Sequence, residues 1–170
     1  MKHIALIFFV LSSCKVSVGQ ELITIRDTIN HFSIGVPVGW IYGVPTDKSV
    51  TFAAYRQKLN GPNWPKENFN INIIRRGDKD LEKTYKEFLA AIGKVNGFLI
   101  IDQADTVING RRYKSLIETH INPLNNERLH NYVLFANNNG KILILTMVTT
   151  SSNFETFKTL FDTIALSLSY

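Results

Sequence analysis

The sequence has a single cysteine, Cys14, near its amino end. That excludes a disulfide framework, a cysteine-bound zinc cluster and, if the leader is removed, a cysteine nucleophile. The apolar run Ile4 to Leu11 falls far short of the roughly 20 residues that span a bilayer as a helix. There is no glycine-rich phosphate loop, no His-Glu-x-x-His helix and no Gly-x-Ser-x-Gly elbow. Basic residues form no stripe interleaved with stacking aromatics. The pairs Arg75-Arg76 and Arg111-Arg112 each sit beside a glycine, as solvated turn ends do, so a nucleic-acid partner is not expected. Internal repeats, low-complexity tracts and Pro/Gly/Ser-rich linkers are absent, which leaves room for one domain.

What is present begins with an export signal. Lys2 and His3 precede the apolar run, and small and polar residues follow from Ser12. This is the three-part layout of a secretory leader. Ser17-Val18-Gly19 places small residues three and one before Gln20, giving a leader of residues 1–19 and a mature domain of residues 20–170. The alternative is Leu11-Ser12-Ser13-Cys14, which resembles a lipobox and would make Cys14 a lipidated first residue. The expected location is periplasmic or secreted, or membrane-anchored through Cys14. Removal of Lys2 and Lys15 with the leader lowers the +5 net charge. Without disulfides, an exported domain of this size must rest on its hydrophobic core.

The mature chain reads as mixed α and β. Leu22 to Arg26 and Phe32 to Val36 alternate apolar and polar residues around a polar turn, predicting a hairpin that stops at Pro37. Trp40, Tyr42 and Val44 follow as the start of a loop, placed to plug one end of the core. Ser49 to Tyr55 and Phe69 to Ile74 read as strands, separated by a loop holding Trp64 between Pro62 and Pro65. Leu81, Tyr85, Phe88, Leu89 and Ile92 form one helical stripe, with Asp78 or Asp80 as cap and Gly93 as stop. Asn109-Gly110 is a strong hairpin signal, since both turn positions need positive φ. Tyr113 to Ile121, Leu129 to Ala136 and Lys141 to Thr149 then make an antiparallel meander. The closing helix carries Phe154, Phe157, Phe161, Ile164, Ala165 and Leu168 on one face, and Ser152 with Glu155 matches a capping box.

Two sets of residues stand out as candidate sites. Trp40, Tyr42 and Trp64 are large aromatics in or beside loops, the composition of a partner-binding surface. His120 and His130 flank the loop around Pro123; in a symmetric hairpin they are expected to face one another with Glu118 on the same face, a three-ligand metal set. One residue of slip would dissolve that set. Asp102 and Asp105 read as ordinary turn-flanking carboxylates. No resident cofactor is expected.

The order of elements, with Phe32-Ser-Ile-Gly-Val-Pro-Val-Gly-Trp40, Asn109-Gly-Arg-Arg-Tyr113, Gly140-Lys-Ile-Leu-Ile-Leu-Thr146 and the final helix Phe154 to Leu168, resembles the PsbP-like fold. That fold is shared by the extrinsic photosystem II protein PsbP, a Ran-binding nuclear import factor and small bacterial exported proteins or lipoproteins. The resemblance implies an α+β domain, an antiparallel sheet with helices packed on it. It transfers no function. The residues favour a monomeric, non-catalytic exported binding or accessory protein whose partner is an unidentified protein or envelope component. The alternatives are a small-ligand or metal-binding periplasmic protein or enzyme using His120 and His130, and an exported immunity-type protein.

Overall fold

The computed structural model describes residues 20–57, 67–74, 80–138 and 140–170. Leu22–Asp27 (β1) and Phe32–Pro37 (β2) pair antiparallel with Ile25 opposite Ile34. Asp27 builds their turn: its Oδ1 accepts from the backbone N–H groups of Ile29 and Asn30 at 2.9 and 2.8 Å. Pro37 ends β2, and Gly39, at φ 86°, turns the chain out of this ribbon. Only glycine takes that conformation without strain.

The chain then enters a second sheet directly. The expected loop at Trp40 is instead a short strand, Trp40–Gly43 (β3), paired with Phe52–Arg56 (β4). Its alternation of Trp40, Ile41 and Tyr42 offers bulky residues to both faces, a pattern that period-two reading does not flag. Asn68–Ile74 (β5) follows, then the helix Leu81–Ile92 (α1), capped by Asp80, whose Oδ1 accepts from Glu82 N at 3.2 Å. Leu99–Ile108 (β6), Arg111–Ile121 (β7), Arg128–Asn138 (β8) and Lys141–Thr150 (β9) form the meander. The sheet is seven-stranded and antiparallel, in the order β3-β4-β5-β9-β8-β7-β6. Asn109 and Gly110 both take positive φ in the β6–β7 turn, as the dipeptide predicts.

The last helix, Phe154–Ser167 (α2), starts later than the capping-box reading implies. Ser152 lies inside a preceding 3-10 turn, Ser151–Asn153, with its hydroxyl 3.0 Å from that of Thr150. The cap position falls to Asn153, whose Nδ2 donates across to Glu67 Oε1 at 3.1 Å. The side chain that would cap the helix ties it to the sheet instead.

Apolar residues cover both faces of the sheet, and each face receives a different partner. On one, Phe69, Ile71, Leu134, Leu143, Leu145 and Met147 are buried against Phe161 and Ile164 of α2 and Ile34 and Val36 of β2. The β1–β2 ribbon is bonded to the end of α2: Gly35 N donates to Ser167 Oγ at 2.8 Å, and Ser33 and Ser169 form an antiparallel bridge. On the other face, Leu116, Val133, Phe135, Ile142 and Ile144 meet Tyr85 and Phe88 of α1. Both rings stand edge-on to Phe135, at 5.2 and 5.1 Å. The free edges are β3 and β6. β6 is exposed along most of its length and carries an irregularity between Ile100 and Asp102.

Candidate interaction surface

Strand alternation sorts the aromatics of β3. Trp40 points into the core, 6% exposed, with its ring 6.1 Å from that of Phe69. It is therefore a core residue, as its reading as a plug for the core implies, and does not contribute its ring to a contact surface. Tyr42 emerges from the same row at the margin, 44% exposed and 6.3 Å from Phe52. Ile41 lies opposite Tyr55 in the β3–β4 register, and both side chains remain exposed. Val38 before the strand and Val44 after it, the latter 79% exposed, extend the same margin. A short edge strand and its flanking residues thus present Val38, Ile41, Tyr42 and Val44 to solvent, beside the exposed Tyr55 of β4. Of these, Tyr42 and Val44 were legible in the sequence; Ile41 and Tyr55 emerge only once residues 40–43 are recognised as a strand. Trp64 and Cys14 lie outside the described residues.

The expected metal set does not assemble. The β7–β8 hairpin closes through Asn122 N donating to Glu127 O at 2.8 Å, with Asn126 at φ 58°. Centring on Pro123–Asn126 pairs Thr119 with His130 and His120 with Leu129. One residue of offset sends His130 to the opposite face of the sheet from His120 and Glu118. Among the described residues no group of three His, Cys, Asp or Glu side chains could hold a metal ion.

Each half of the broken set has a structural partner. Glu118 is fully buried on the face where α1 packs; Asn131 Nδ2 donates to its Oε1, and His120 Nδ1 lies 3.1 Å from its Oε2. His130 stacks flat on Phe154 at the start of α2, ring centroids 3.6 Å apart and planes 5° apart. Burial pulls its pKa below the ordinary histidine value, and the carboxylates of Glu118 and Glu155 pull weakly the other way. Its Nε2 is buried without a hydrogen-bond partner.

Two clefts remain. One, of about 320 Å³, is lined by Glu82, Tyr85, Gln103, Ala104, Asp105 and Lys114. Its polar groups are spent on one another. Lys114 Nζ sits 2.8 Å from Glu82 and 2.9 Å from Asp105, which push its pKa up to about 12, and Tyr85 Oη donates to Gln103 at 3.0 Å. No sequence signal links these residues, because only the docking of α1 across β6 and β7 brings them together. The other cleft, of about 360 Å³, lies between the β6–β7 and β8–β9 turns and the carboxyl-terminal residues, lined by Arg111, Arg112, Asn137, Asn138 and Tyr170.

The architecture is found among solved structures. The solution structure of cyanobacterial PsbP (CyanoP) from Synechocystis is similar at 20% identity, with a TM-score of 0.63 over 94% of this chain and 98% of that one. LpqN of Mycobacterium tuberculosis is similar at 12% identity and a TM-score of 0.62, over 88% of this chain and 90% of that one. The Ran-binding protein Mog1p of Saccharomyces cerevisiae is similar at 10% identity and a TM-score of 0.59, over 88% and 95% respectively. No protein-family model and no curated sequence matches. The chain has the PsbP-like α+β fold. At these identities the likeness defines the fold and leaves the role to the surface.

Proposed function

We propose that this chain is an exported, non-catalytic binding protein of the cell envelope that meets a protein partner along its β3 edge. The carrying observation is the exposure of Ile41 and Tyr42 on one short edge strand, with exposed Val38 just before it and Val44 just after it. An edge strand with an apolar margin offers main-chain pairing together with side-chain contact. The proposal takes residues 1–19 as a leader cut before Gln20, with lipidation at Cys14 as the alternative start. Among the described residues no helix is long and apolar enough to cross a membrane. Two similar structures accord with a binding role in this setting: LpqN is described as involved in cell envelope biogenesis, and Mog1p as Ran-binding. Trp64, in the β4–β5 connection, is proposed to extend the surface.

The test is capture from the native envelope with the mature protein, run beside Tyr42→Asp and Trp64→Ala variants, with intact mass recorded. Tyr42 is half-exposed, so the aspartate is tolerated by the fold, while a contact at the centre of an interface loses roughly thirtyfold or more in affinity. A specific partner that survives Tyr42→Asp undiminished refutes the edge assignment. The mass distinguishes a chain beginning at Gln20 from one beginning at a lipidated Cys14.

A further inference from the structure

The second cleft lies in the half of the sheet away from β3, and the charged side chains among its described lining residues, Arg111 and Arg112, are both basic. Arg111 and Arg112 begin β7 immediately after the Asn109-Gly110 turn, and Asn137 and Asn138 end β8 beside them. The turn itself is anchored: Asn109 Nδ2 donates to Leu166 O, near the end of α2, at 2.8 Å. The turn that carries the arginines is therefore held against the body of the domain and is not a free hairpin tip. The Arg111 guanidinium lies over the ring of Tyr170, 4.3 Å from its centre, and Tyr170 in turn stands edge-on to the buried Tyr113 at 6.0 Å. Stacking fixes the plane of the guanidinium and leaves its N–H edges free to bond. The described residues give neither arginine a carboxylate partner. Among the described residues no acidic side chain lines the cleft, and the two asparagines add amide donors.

We propose that this cleft is a binding site for a phosphate monoester. The Arg111 guanidinium held on Tyr170, together with the Arg112 side chain and the asparagine amides of the lining, supplies charge-assisted donors for the acceptor oxygens of such a group. A cleft of about 360 Å³ accommodates a small phosphorylated molecule or the exposed head of a lipid. The site is separate from the β3 edge, so it stands or falls independently of the partner surface.

The experiment uses the mature chain and two probes at matched ionic strength: glycerol phosphate by calorimetry, and phosphatidylcholine vesicles with and without phosphatidic acid by sedimentation. Arg112→Gln is the diagnostic variant, since Arg112 is exposed and contributes nothing to the core. Lys48→Gln, which removes an exposed charge elsewhere, is the control. The expected result is binding to glycerol phosphate that weakens about tenfold in Arg112→Gln, the cost of one charge-assisted contact, and is unchanged in Lys48→Gln. Binding confined to phosphatidic acid vesicles, with the same variant pattern, supports the site and makes the source a lipid head. Binding to neither probe, affinity unaltered by Arg112→Gln, or equal loss in Lys48→Gln overturns the proposal.

Discussion

Replacing Gly35 by alanine tests whether the β1–β2 ribbon is held by the contact described above. The Ser167 hydroxyl accepts from Gly35 N at 2.8 Å and donates to Ile164 O at 2.6 Å, so it joins the ribbon to the last turn of α2. A methyl group on Gly35 would lie 2.9 Å from that oxygen, 2.6 Å from Leu22 Cδ1 and 3.1 Å from Leu22 Cβ. The end of Leu22 can rotate aside at about 0.5–1.5 kcal/mol. The hydroxyl must also withdraw, which strands a backbone N–H at about 1–3 kcal/mol. Loss of glycine's freedom in the unfolded chain returns about 0.4–1 kcal/mol. Taking the middle of these ranges, the net expectation is a destabilisation of roughly 2 kcal/mol, or a Tm lower by roughly 4–8 °C for a domain of this size. Circular dichroism melts and urea titrations measure it, in a cycle with Ser167→Ala. With the hydroxyl removed, Gly35→Ala should cost about 1 kcal/mol less than in the parent. Additive costs, or a Gly35→Ala melt within about 2 °C of the parent, would show that the hydroxyl bridge is not what seats the ribbon.

Other consequences are equally measurable. His130 is half-buried and stacked on Phe154, and desolvation lowers its folded pKa below the unfolded value of about 6.5. The unfolded chain takes up the proton first as pH falls, and the stability contributed by the neutral ring is present above about pH 6.5 and lost below it. Urea midpoints at about pH 7.5 and pH 5 should therefore diverge more in the parent than in His130→Phe; equal divergence would remove His130 as the cause. Thr149 is fully buried with an unpartnered hydroxyl, so the isosteric Thr149→Val should stabilise by about 1 kcal/mol in the same titration. A loss of stability would mean that the hydroxyl has a partner, such as an ordered water.

The elements that sequence made legible are those with purely local causes. The turn at Asn109-Gly110 follows from two positive φ angles, the start of α1 from the Asp80 carboxylate, and the strands β7 to β9 from period-two alternation. The failures have causes beyond the local window. Ser152 satisfies a capping pattern, yet the chain first makes a 3-10 turn so that Asn153 can reach Glu67, far away in sequence. Trp40 looked like a loop residue because four residues are too few to display alternation. The histidine pair failed on register alone: His130 faces Thr119, and the offset moves a candidate ligand through the sheet. The arginine pair beside Gly110 was visible as a turn end, but its cleft depends on the neighbouring turn and on Tyr170, which only the assembled sheet brings near.

The join between β5 and β9 sets Asn68 against Val148, and Ser33 is bridged to Ser169. The strands β3, β4 and β5 therefore have no neighbour on their inner side until the meander is complete, and the first ribbon has no seat until α2 exists. Such wiring makes the slow, non-local closures the last to form. A chain so arranged stays open while its carboxyl-terminal third is still being made, so the amino-terminal ribbon and the strands β3 to β5 are the last parts to gain protection from exchange or proteolysis.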